Sequence, residues 1–209
     1  TLFRSQTHRR EYYAIITHLD AQIGRVLDAI ERGGRADNTW IFFAADNGLA
    51  IGRHGLMGKQ NMYEHSMRVP LVVAGPGVSK GERRDAPVYM QDLMATALDL
   101  AGAQAPDGMA FRSLRPLLAD AKAAHRPHLY SGYITGQRMV TDGAHKLVLY
   151  PAVPRALLFD LKADPLETKD LAGVPASRPV MKKLFAAFLD LQKETGDALD
   201  VAAAYPGLL

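Results

Sequence analysis

The chain has 209 residues, 48% of them hydrophobic and 22% charged, with a formal net charge of +3. That size and balance support a real hydrophobic core in one large domain or two small ones. The mild basicity, with Arg9-Arg10 and Arg83-Arg84 as isolated pairs, speaks against a nucleic-acid footprint, and the absence of cysteine excludes disulfides, thiolate metal sites and a Cys nucleophile within these residues.

Thr1-Leu2-Phe3-Arg4 has neither an initiator Met nor a signal-peptide pattern and reads as the continuation of a longer chain. No run approaches the roughly 18 apolar residues of a membrane span. Apolar side chains at 12, 15, 16, 19, 23, 26, 27 and 30 predict a helix over 9–32 with one apolar face, stopped by Gly33-Gly34. Residues 40–45 form a continuous apolar run, too short for a helix, and predict a strand buried on both faces. Four glycines in 46–62 mark a long loop, of a length that is usually functional or disordered. A second buried strand is predicted over 69–74, a helix over 89–100 with Gly102 past its end, and one or two helical turns over 113–119.

The pattern changes near residue 122. Short strands are predicted over 128–134, 138–141, 145–150 and 156–161, separated by Gly136, Asp142-Gly143, Pro151 and Pro154 as in an antiparallel meander. A last helix follows Ser177 as its cap, with Pro179 in its first turn and apolar residues at 181, 184, 185, 188 and 189. The expected fold class is α/β: part of a mostly parallel sheet flanked by helices over 1–122, then a small antiparallel α+β subdomain over 123–209.

Chemistry concentrates after the first strand. Asp46 and Asn47 fall at its carboxyl end, where α/β sheets place ligands. A charged and a neutral oxygen donor suit Ca²⁺ or Mg²⁺ better than a soft metal. Taken alone, Asp46-Asn47-Gly48 is also an ordinary Asx turn. The sequel shifts the balance: Gly52, Gly55 and Gly58 permit close backbone approach to a ligand, Lys59 is a point charge suited to a tetrahedral anion, and His54 can bond an anion oxygen or move a proton. Both His54 and Lys59 lie within thirteen residues of Asp46.

Several segments together resemble the C-terminal half of type I sulfatases, of the alkaline phosphatase-like superfamily. They are Tyr12-Tyr13 with 18–27, Asp46-Asn47-Gly48, His54-Gly55-Leu56-Met57-Gly58-Lys59, Tyr63-Glu64-His65 with Arg68-Val69-Pro70-Leu71, and Leu158-Phe159-Asp160-Leu161 with Asp164-Pro165-Leu166-Glu167. The resemblance implies that Asp46 and Asn47 ligate Ca²⁺ and that Lys59 binds the sulfate and assists the leaving oxygen. His54 is a candidate on the substrate side, whereas Glu64 and Arg68 read as braces of the loop, and His18 and Lys146 as structural. The spacing from Asp46 to Lys59 is closest to sugar-type sulfatases. The resemblance also implies a periplasmic or secreted setting.

A type I sulfatase needs a formylglycine made within a Cys/Ser-x-Pro-x-Arg motif, and Ser113, Ser131 and Ser177 all fail that pattern. The formylglycine is therefore expected in an N-terminal half outside this chain, and this chain alone should be inactive. That half, a sulfate ester and a second copy of the chain are the expected partners. Two rival readings stand beside this one: a phosphatase or phosphonate monoester hydrolase of the same superfamily, and a non-catalytic module lacking the nucleophile half.

Overall fold

The computed structural model describes the backbone of residues 2–209 and side chains from Arg4 onward. Helix α1 spans Leu2–Arg32, a turn or two longer than apolar spacing indicates, because nothing in the polar stretch 4–8 interrupts it. It ends where Gly33-Gly34 predicted. Gly34 adopts φ 64°, and the amides of Gly34 and Arg35 donate to the Glu31 and Ile30 carbonyls, a Schellman close that satisfies two otherwise orphaned acceptors. Two later helices end the same way, at Gly102 and Gly196. Tyr13, Ile15, Ile16, Leu19, Val26 and Leu27 of α1 are exposed, so its apolar stripe is uncovered by the described residues.

Strand β1 (Ile41–Ala44) leads to a long loop, the short helix α2 (Glu64–Met67) and strand β2 (Leu71–Ala74). The two strands pair antiparallel, with Ile41 opposite Ala74 and Ala44 opposite Leu71. The α/β class stands, but this pair is not part of a parallel sheet. A parallel return needs a crossover of a dozen or more residues, usually a helix. The connection here holds only the four-residue α2 and folds back on itself. Nor is either strand buried on both faces: Phe43 and Val72 are exposed, because no helix among the described residues covers them.

Helix α3 (Asp92–Leu100) and the short α4 (Arg115–Ala119) follow. They are fastened by the fully buried Asp92, whose carboxylate accepts from the Tyr89 and Arg112 amides and from Arg126 Nη1 at 2.6 Å. The Tyr89 amide is thus tied to Asp92, which is why α3 begins three residues later than the pattern suggested.

The meander is as predicted. β3 (Leu129–Tyr133), β4 (Gln137–Thr141), β5 (His145–Tyr150) and β6 (Arg155–Asp160) form one antiparallel sheet in sequence order. At the β4–β5 turn, Gly143 takes φ 81° and the Asp142 carboxylate accepts from the Ala144 and His145 amides. Successive side chains alternate between faces. Val140, Leu147, Leu149 and Leu158 meet Met181, Leu184, Phe185 and Phe188 of α5 (Arg178–Glu194) in the main core. Met139, Val148, Leu157 and Phe159 point the other way and enclose Met62, with Tyr63 packed against them. The second cluster therefore anchors the end of the long loop to this sheet. Ser177 precedes α5 as expected but makes no side-chain cap; a 3-10 turn over Pro175–Ser177 enters the helix instead.

Candidate functional site

Asp46 and Asn47 follow β1 directly, at the point where the chain leaves the sheet. Asp46 Oδ1 accepts the Asn47 amide at 2.9 Å, and Asn47 Nδ2 donates to the Gly48 carbonyl at 3.0 Å, which fixes the amide oxygen's direction. Gly48 is required by close approach. Its amide donates to the Ser66 carbonyl at 2.9 Å, and a Cβ there would stand 2.0 Å from the His65 carbonyl oxygen.

The segment after Gly48 is a small closed loop. The Ala50 amide donates to the Gly58 carbonyl at 3.0 Å, and that of Gly52 to Leu56 at 2.7 Å. These bonds return Lys59 to the start of the loop, where its Nζ donates to Asn47 Oδ1 at 2.6 Å. Tight closure requires left-handed backbone at Ile51, Gly52, His54 and Gly55. For a β-branched residue such as Ile51 (φ 44°) that is an uncommon conformation. It is supported by Arg9 Nη2, which donates to the Ile51 carbonyl from α1.

The structure thus brings three of the four predicted residues together: Asp46, Asn47 and Lys59. His54 is turned elsewhere. Its ring stacks on Tyr63 at 4.0 Å between centroids, with an interplanar angle of 7°, and Nε2 lies 3.1 Å from the Leu166 carbonyl. One of its two ring nitrogens is therefore engaged in joining the loop to the segment after β6. His65 lies beside it, centroids 5.6 Å apart. Burial, aided by the neighbouring His54, Arg53 and Lys146, lowers the His65 pKa to about 4, so the ring is neutral at pH 7. Its Nε2 and the Ser66 hydroxyl are buried without a hydrogen-bond partner among the described residues.

Donor chemistry at the site fits a hard divalent cation. Asp46 is exposed and carries no ion pair among the described residues, and the Asn47 oxygen already attracts one cation, the Lys59 ammonium. Two ligands do not make a cage, and among the described residues no group of three or more His, Asp or Glu side chains gathers.

Behind the loop lies a buried ionic cluster. Lys146 on β5 is fully buried; its Nζ donates to Glu167 Oε1 at 2.8 Å and to the Met62 carbonyl at 3.0 Å, and forms an ion pair with Glu64 Oε1 at 2.6 Å. Glu167 Oε2 accepts the Glu64 amide at 2.6 Å. Arg68 adds a looser, exposed contact to Glu64 at 3.8 Å. Of the expected braces, Glu64 is held firmly and Arg68 only loosely, and Lys146 is structural, as its place in a strand indicated. Glu167 was legible only as part of an Asp-Pro turn; the missed signal was a lone charge on the inward register of an apolar strand, Lys146, which demands a buried partner.

Residues 3–103 match the family model described as Sulfatase. The chain belongs to the sulfatase family. It is 34% identical over 211 residues to a choline-sulfatase of Rhizobium meliloti, covering 93% of this chain and 39% of that protein. An N-acetylglucosamine-6-O-sulfatase of Bacteroides thetaiotaomicron is 29% identical over 208 residues, covering 93% and 37%. Among solved structures, one holding its substrate D-glucosamine-2-N,6-O-disulfate aligns with a TM-score of 0.87 at 28% identity, over 95% of this chain and 43% of that one. A phosphonate monoester hydrolase from Silicibacter pomeroyi aligns at 0.80 and 27% identity, with coverage of 95% and 43%. This sulfatase-family chain therefore spans about two fifths of the length of the relatives it matches. Among the described residues no helix is long and apolar enough to cross a membrane.

Proposed function

We propose that this chain is the C-terminal part of a sulfatase that hydrolyses sulfate monoesters, and that it supplies metal and sulfate ligands to a site completed by an N-terminal half. The observation that carries this reading is the meeting of Lys59 Nζ with Asn47 Oδ1 at 2.6 Å, with the exposed Asp46 carboxylate on the adjoining residue. Asp46 and Asn47 would hold Ca²⁺, or Mg²⁺. When bound, the cation supplies Lewis-acid stabilisation of negative charge on the sulfate oxygens. Lys59 orients the sulfuryl group and offsets charge on it or on the departing oxygen. Its contact with Asn47 keeps that ammonium beside the metal ligands rather than free in solvent. His54 stays a candidate on the substrate side through its remaining ring nitrogen.

The nucleophile, a formylglycine in this reading, belongs to the N-terminal half. The same half would cover the exposed stripe of α1 and the exposed residues Phe43 and Val72. A division near residue 122 separates the β1–β2 part from the four-stranded sheet, and a periplasmic or extracellular setting accompanies the reading. Sulfated sugars are the first substrates to test, because two of the similar proteins are named for sulfated glucosamine derivatives.

A phosphonate or phosphate monoester hydrolase is the second reading, favoured by the alignment with the Silicibacter pomeroyi enzyme. Turnover of an aryl sulfate, an aryl phosphate and an aryl phosphonate by the complete polypeptide decides between them. Sulfate turnover should be fastest; phosphonate or phosphate turnover well above sulfate would replace the first reading by the second. Calorimetry with Ca²⁺ on Asp46→Ala should show affinity reduced more than about tenfold, the loss of one charged ligand being worth at least 1.4 kcal/mol. Unchanged affinity would remove Asp46 from the ligand set.

A further inference from the structure

We infer that Lys146 is a positioning residue for Lys59, acting at the centre of a clamp by which the four-stranded sheet and the segment after β6 hold both flanks of the Lys59 loop. The inference rests on the proposed role of Lys59. On the near flank, His54 Nε2 meets the Leu166 carbonyl at 3.1 Å. On the far flank, Gln137 Nε2 donates to the Gln60 carbonyl at 3.3 Å and Lys146 Nζ to the Met62 carbonyl at 3.0 Å. Two residues on, Glu64 is held twice, by Lys146 through its carboxylate and by Glu167 through its amide. Lys59 itself is exposed; its ammonium's hydrogen bond among the described residues is to Asn47, and its backbone bonds, amide to Gln60 and carbonyl from the Asn61 amide, are local. The position of its ammonium is accordingly inherited from the backbone on either side.

Lys146 is the tie that joins these contacts. It bonds the loop backbone at Met62, the loop carboxylate of Glu64 and the distant carboxylate of Glu167 at once. An apolar side chain on an inward register would pack there without desolvating a charge. A buried ion cluster is a poor way to gain stability and a good way to define a single geometry. The ammonium's two hydrogen bonds and its ion pair with Glu64 tie the loop stretch 62–64 to the segment that carries Glu167.

The test is a double-mutant cycle in the complete polypeptide, with an aryl sulfate at saturating concentration. Lys146→Met is made with Lys59 present and with Lys59→Ala. With Lys59 present, kcat should fall roughly 10- to 100-fold, the scale of a group misplaced by about an ångström. In the Lys59→Ala background the same change should cost less than about threefold, since the two residues then act as a unit. Lys146→Arg should restore part of kcat, and amide exchange over 59–64 should quicken in Lys146→Met while β2 is unchanged. Equal losses in both backgrounds would overturn the inference. If Lys146→Met does not fold, Glu167→Gln carries the same cycle with the same two outcomes. A wild type that turns over no sulfate ester would instead defeat the functional reading, and that result is visible before any variant is made.

Discussion

Replacing Gly48 by alanine tests the close approach on which the site depends. The new methyl carbon would lie 2.0 Å from the His65 carbonyl oxygen, 3.0 Å from its carbon and 3.6 Å from Ser66 Cα. Carbon contacts are comfortable only near 3.5 Å or beyond, so the two backbones must part by roughly 1.5 Å. Both obstacles are main chain, which cannot swing aside as a flexible side chain could. Overpacking of this kind costs about 1–3 kcal/mol, and the Gly48 to Ser66 bond lost in parting the loop from α2 adds about 1 kcal/mol. The smaller entropy of an unfolded chain containing alanine offsets about 0.4–1 kcal/mol. A net destabilisation of about 2–3 kcal/mol is therefore expected, read as a lower urea midpoint at unchanged slope. Gly24→Ala is the control: it sits inside α1 with nothing within 4 Å of its would-be Cβ, and should stabilise by about 0.5–1 kcal/mol. Because the displaced residue adjoins Asn47, Gly48→Ala should also weaken Ca²⁺ binding. A Gly48→Ala protein within 0.5 kcal/mol of wild type, about the scatter of harmless surface substitutions, would refute the packing argument.

Phe188→Ala should cost about 3–5 kcal/mol by the same denaturation assay, because Phe188 is fully buried between Phe185 and Tyr130 in the main core. Asp92→Ala should cost about 3–5 kcal/mol, since it strands the buried Arg126 guanidinium; a loss below 1 kcal/mol would mean that water replaces the carboxylate. Asp197→Asn bears on pH. The Arg138 guanidinium donates to both oxygens of Asp197 and holds its carboxyl well below the usual carboxylate range. A depressed folded pKa contributes stability that is complete above the unfolded value near 4 and is lost as pH falls through the folded value. The variant should be less stable by about 2–3 kcal/mol at pH 7, the gap should close in acid below pH 4, and a gap that stays constant down to pH 2 would count against the ion pair.

Local pattern carried most of the second half of the chain. β5 over 145–150 and the helix behind Pro179 emerge where alternation and 3.6-residue spacing place them, because both bury one complete face against the other. β1 and β2 show the limit of the same signal. An apolar run reports burial but not the direction of the neighbouring strand, and direction was settled by how 46–70 folds back through the Gly58 and Ser66 carbonyls. Asp46, Asn47 and Lys59 were legible because oxygen donors, glycines and a cation cluster within one loop. The partners of His54 and Lys146 were not, since Leu166 and Glu167 lie 112 and 21 residues away in sequence. Contacts of that range leave no periodic trace. Ser177 misled for a local reason: its position suits a cap, but the preceding 3-10 turn leaves its side chain without that role.

Segments 54–64 and 137–167 touch through His54–Leu166, Gln60–Gln137, Met62–Lys146 and Glu64–Glu167. This has a practical meaning for recombining members of the family. A chimera with its crossover anywhere between residues 65 and 136 takes the loop from one parent and its seat from another. It would inherit every ligand and still misplace them. The transferable unit is the loop together with its seat, so a specificity graft that moves only 46–59 should arrive folded, metal-loaded and slow.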